Sequence, residues 1–94
     1  MILNEGALAE VVWPESLTQI YDRKRERWDG GDGSGQRRRT SPTVSKGELV
    51  TVLGHEHLAL EEGEPFNFRR ILHHRHGVWW ISKISIQEAT DEGR

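Results

Sequence analysis

The chain has no cysteine, one methionine and three prolines among its 94 residues, and aromatics make up 7 % of it. The missing thiols exclude disulfide cross-links, cysteine nucleophiles and thiolate zinc sites together. A secreted domain this small ordinarily carries disulfide staples, so a cytoplasmic location is the expectation. Long hydrophobic runs are missing too. No stretch approaches the roughly 20 apolar residues of a membrane-spanning helix, and no membrane partner is expected. The opening Met1-Ile2-Leu3-Asn4-Glu5-Gly6 has neither the basic region nor the apolar core of a signal peptide. Sustained helical periodicity and internal repeats are also lacking.

What is present fits one domain over residues 1–94. Apolar residues account for 34 % and charged residues for 30 %. A domain of this length buries only ~60–65 % of the surface of its unfolded chain. The core is therefore thin, and the four tryptophans are expected to fill much of it. The net charge of −2 gives the chain as a whole no attraction to nucleic acid or anionic membranes.

Along the chain, Ala7–Trp13 reads as a strand closed by Pro14, and Leu17–Asp22 as a second short apolar piece. Residues 23–42 are basic at both ends and rich in Gly and Asp between them. They read as one long flexible loop, with Trp28 its lone large apolar side chain. Glu48–Leu53 is the clearest strand. An acidic connector follows over His55–Pro65, with a short helical turn expected around Leu58–Glu62. Phe66–His73 and Val78–Ile81 read as a hairpin around the turn His74–Gly77. Ser82–Ile86 continues as a turn and a final strand, and residues 88–94 form a polar tail expected to fray.

Two stretches resemble a known family. Val44–Gly54 (VSKGELVTVLG) is similar to the Lys-Gly-acid-apolar strand of Src-homology-3 domains and their bacterial relatives. Phe68–Ile86 (FRRILHHRHGVWWISKISI) resembles their late hairpin followed by a Gly-aromatic-apolar-Ser-Lys segment. The resemblance implies an all-β, five- to six-stranded small barrel, with residues 23–42 as an enlarged first loop. It also implies a binding module and not an enzyme. It does not carry over proline-rich ligands. Arg23 and Lys24 stand where a peptide-binding member has a second aromatic, Phe66 and Phe68 where it has an exposed Trp, and Ser82 and Ile86 where it has a late Pro and Tyr.

Several constellations are candidates for binding. His55 and His57, and His74 and His76, are spaced i, i+2, which on extended chain puts each pair on one face. Together they form a candidate zinc or nickel set. Arg37, Arg38 and Arg39, with Trp28, form a basic and aromatic cluster suited to phosphates and unpaired bases. Trp79 and Trp80 are adjacent on a strand and face opposite sides. One belongs to the core, and the other is either covered by the long loop or exposed as a protein-binding anchor. Gly30–Gly35 has neither the Gly-Lys-Ser/Thr of a phosphate loop nor the acidic spacing of a calcium loop. No carboxylate pairs with a His and a nucleophile, so no cofactor and no catalysis are expected. The sequence thus points first to an intracellular protein-binding module, second to nucleic-acid binding through the basic loop, and third to a histidine metal site.

Overall fold

Period-two alternation of Val, Ile and aromatic residues organises the chain around one sheet. The computed structural model describes the backbone of residues 6–61 and 64–89 and the side chains of residues 6–53 and 67–89. Its elements are β1 (Leu8–Val11), β2 (Glu15–Ser16), β3 (Ile20–Asp22), β4 (Arg27–Asp29), β5 (Thr43–Val44), β6 (Leu49–Glu61), β7 (Glu64–His73), β8 (Gly77–Ser82), a 3-10 turn (Lys83–Ser85) and β9 (Ile86–Glu88). Five strands form an antiparallel sheet in the order β8-β7-β6-β1-β9. β2 pairs with β5, and β3 with β4, as two separate two-stranded ribbons.

One face of the sheet is the core. Ala9, Val11, Val50, Val52, Ile71, Trp79, Ile81 and Ile86 are buried on it, and Leu17 and Val44 join them. Burying a Val, Leu or Ile side chain contributes roughly 1.5–3 kcal/mol, so this cluster is the main stabilising term. Leu17 is held in place by its N–H bond to the Pro42 carbonyl, 2.8 Å, which also closes the base of the long early excursion. The pairing of β6 with β7 shifts register between Val52 and Glu56, where β6 carries extra residues relative to β7.

The structure is all-β as expected, and it corrects three finer expectations. The sheet does not close into a barrel. β9 has three residues and pairs with β1, while the outer side of β8 is met by isolated bridges from Thr18 and Gly31. The acidic connector carries no helical turn at Leu58–Glu61, where β6 continues instead. Leu, Ala and Glu favour helix individually, and the ladder with Phe66, Asn67 and Pro65 of β7 overrides them. Residues 23–42 are not loop throughout, because β4 lies inside them.

Candidate functional site

The β3–β4 hairpin turns on Asp22, whose carboxylate accepts the backbone N–H groups of Lys24 (2.9 Å) and Arg25 (3.3 Å). Glu26 takes the left-handed conformation at φ 52° to complete the reversal. Tyr21 and Trp28 are direct partners across the ribbon, so they share a face. Their rings meet edge to face at 5.4 Å, and the Arg37 guanidinium lies 5.3 Å from the Trp28 ring centre. Gln19 clamps the segment that follows. Its amide nitrogen donates to the carbonyls of Gly30 (3.0 Å) and Gln36 (2.9 Å), and its amide oxygen accepts the Arg38 N–H at 2.7 Å.

Charges on this segment are sorted. Asp22 pairs with Arg25 at 3.7 Å, Asp29 with Arg70 at 3.2 Å, and Asp32 with Arg38 at 2.8 Å. The Ser34 hydroxyl and N–H, with the Arg38 guanidinium, hold the Asp32 carboxyl at about 2 instead of 3.8. Arg38 is thus committed to the segment's own structure. Arg23, Lys24, Arg37 and Arg39 are exposed and have no carboxylate partner among the described residues. Residues 22–39 contain seven Lys/Arg and four Asp/Glu, a net +3, which leaves −5 for the rest of a chain whose total is −2. Beside Trp28 a cleft of about 370 Å³ opens between Arg25, Arg27, Asp29, Arg70 and Val78.

The histidines divide. His73 is buried at the end of β7, and both its ring nitrogens are engaged. Nε2 lies 2.9 Å from Glu48 Oε1, and Nδ1 accepts the N–H groups of Arg75 (3.0 Å) and His76 (3.3 Å). The Nδ1 contacts require an unprotonated Nδ1, which makes Nε2 the donor to Glu48. The other Glu48 oxygen accepts the Ser45 N–H. That bond, with His73, holds the Glu48 carboxyl below its usual 4.5. His74 and His76 flank His73 with ring centres at 4.6 and 4.5 Å. Both belong to the β7–β8 turn region, so the face-sharing rule for extended chain does not apply to them. The side chains of His55 and His57 lie outside the described residues. Among the described residues no three His, Asp or Glu side chains are grouped to hold a metal ion.

Neither member of the Trp79-Trp80 pair is an exposed anchor. Trp79 is 3 % exposed and Trp80 6 %. Trp79 sits in the core and donates its indole N–H to the His76 carbonyl at 2.8 Å. Trp80 is on the opposite face, where Thr18 bridges to its backbone in both directions at 2.9 Å. An exposed tryptophan does occur, at a position that the sequence placed in a strand. Trp13 is 65 % exposed and Ile84 is 79 % exposed. The N–H groups of Val12 and Trp13 both reach the Ser85 carbonyl, which sets Trp13 and Ile84 on adjoining segments. A strand reading of Ala7–Trp13 conceals this, because strand parity sets Trp13 on the buried face with Ala9 and Val11, whereas β1 ends at Val11. On the sheet's outer face, Leu8 and Leu72 are exposed on either side of Thr51, and Leu49 is exposed nearby. Among the described residues no helix is long and apolar enough to cross a membrane. No protein-family model, no curated protein and no solved structure matches the chain.

Proposed function

We propose that this chain is a small intracellular, non-enzymatic binding module of the Src-homology-3-like type that recognises a protein partner. The observation that carries the reading is the exposure of Trp13 and Ile84 on adjoining segments. Large apolar side chains set together at a surface are the usual anchors of protein interfaces, and Trp is the residue most enriched among them. The family reading is supported by element order. A first strand, a long excursion, three consecutive antiparallel strands, a 3-10 turn and a short last strand follow one another. The two resembling stretches supply the start of β6 and the run from β7 to β9. Proline-rich ligands are not part of the proposal, since the aromatic positions they require are absent.

The test is capture from native lysate with and without nuclease, comparing the wild type with Trp13→Ser combined with Ile84→Ser. Both side chains are exposed, so the double variant is expected to keep its circular dichroism spectrum. A protein partner that survives nuclease and is lost with the double variant is the expected result. Capture that is indifferent to both substitutions, or that disappears with nuclease, overturns the reading.

A further inference from the structure

A second surface, built on elements other than those that carry Trp13 and Ile84, has different chemistry. We propose that the β3–β4 hairpin is a platform for single-stranded nucleic acid. Tyr21 and Trp28 offer the stacking faces, and Arg23, Lys24, Arg37 and Arg39 neutralise phosphates. Three observations converge on it. The two aromatics are register partners on one face of the ribbon, with Tyr21 44 % exposed and Trp28 half-buried. Three of the segment's four acidic residues are already engaged, since Asp22, Asp29 and Asp32 each hold an arginine, which leaves Glu26. The remaining five cations of the segment, Arg27 with Arg23, Lys24, Arg37 and Arg39, are exposed and surround the aromatic pair along the chain.

Electrostatics and stacking select the ligand together. A heparin-like or acidic-peptide partner would use the +3 segment but has no flat ring for Trp28. A duplex would offer phosphates but keeps its bases stacked on one another, and the hairpin presents no helix to enter a major groove. Unpaired bases have free π-faces and an accompanying phosphate chain. Arg37 already lies against the Trp28 ring at 5.3 Å, a flat cation where a flat base would stack. The cleft between Trp28, Arg27 and Arg70 gives a base displaced past the ring somewhere to go. Stacking reads no base edge, and the Gln19 amide beside the hairpin is spent on the Gly30 and Gln36 carbonyls and the Arg38 N–H. The binding is therefore expected to tolerate any sequence.

The experiment titrates the full chain with a fluorescein-labelled oligothymidine of ~15 nucleotides, followed by anisotropy and Trp quenching over a range of salt. Heparin, polyglutamate and a DNA duplex are the controls. Oligothymidine is expected to bind more tightly than all three, with a log–log salt slope of about −0.7 per phosphate neutralised. Replacing Arg37 and Arg39 by Ala should make that slope shallower by about 1.4. Trp28→Ala should weaken binding roughly 5- to 150-fold, Trp28→Phe should recover part of the loss, and Arg75→Ala, off the hairpin, should leave binding unchanged. No binding at low salt overturns the proposal. So does heparin binding as tightly as oligothymidine with Trp28→Ala indifferent, or duplex matching single strand. Because Trp13 and Ile84 are left intact throughout, failure here is separate from failure of the protein-binding reading.

Discussion

His73 sits where an apolar residue would ordinarily close the end of the core. It is tolerated there because every polar atom of its ring is answered, Nε2 by Glu48 and Nδ1 by two backbone N–H groups. His73→Ala leaves a cavity and orphans those partners together, so it should cost about 2–4 kcal/mol. Urea unfolding is the measurement, and a loss under 1 kcal/mol would contradict the arrangement. Glu48→Gln keeps the shape and removes the charge, so it should cost less. The same cluster makes stability depend on pH. Burial, with the Arg75 guanidinium charge, holds the His76 imidazole below 6.5. The unfolded chain takes up that proton first as pH falls. The stability His76 contributes is therefore complete above 6.5 and is lost as pH drops through its folded value. Glu48, also depressed, acts in the same direction one step lower, from 4.5 downward. The melting temperature should fall between pH 7.5 and pH 5, and His76→Asn should flatten that first step. A profile identical in the two proteins would show that His76 is not its source.

Among the elements, the β3–β4 hairpin depends most on backbone freedom. Gly31 has φ +93° and donates its N–H to the Val78 carbonyl at 2.8 Å. A Cβ there would stand 2.9 Å from the Gln19 amide nitrogen that clamps Gly30 and Gln36. Gly31→Val should thus loosen the hairpin from β8 and cost about 1–3 kcal/mol through strain. Trypsin cleavage within residues 23–39 should accelerate, while the β6–β8 core keeps its protection against hydrogen exchange. Unchanged cleavage would mean that the clamp does not hold the hairpin down. This element also marks the limit of what the sequence discloses. The strands Glu48–Leu53, Phe66–His73 and Val78–Ile81 are legible because β-branched and aromatic residues crowd them. β4 is not, because Arg27-Trp28-Asp29 has one apolar side chain and a composition that reads as loop. Its signal lies in the pairing of Tyr21 and Trp28 around an Asp-led turn, which a scan for apolar runs passes over. β2 and β5, two residues each, are too short to carry any period. Trp79 and Trp80 show the same division. Adjacency tells that they face opposite ways, but the backbone partner that Trp80 finds in Thr18 lies far away in the chain. His73 and Glu48, 25 residues apart, meet only once the sheet has formed.

At the scale of the whole molecule, charge is partitioned between a basic hairpin segment of +3 and a remainder of −5. The local excess of positive charge on the hairpin segment is expected to attract anions to it, and that association to be damped by salt. Raising salt from about 50 to 300 mM should lower the association rate for oligothymidine far more than the dissociation rate rises, as stopped-flow would show. Thr18 and Gly31 hold a further role. By bonding to Trp80 and Val78 they occupy the side of β8 that faces away from β7. Val78-Trp79-Trp80-Ile81 is a segment with high β-propensity and no charge, the composition that assembles into cross-β stacks when its backbone is bare. Thr18 and Gly31, which flank the hairpin, are consequently expected to guard that edge against polymerisation. Once protease has nicked a Gly31→Val chain within the hairpin, the strand beneath becomes a template for a second molecule, and thioflavin fluorescence should rise in the nicked sample while the intact wild type stays dark.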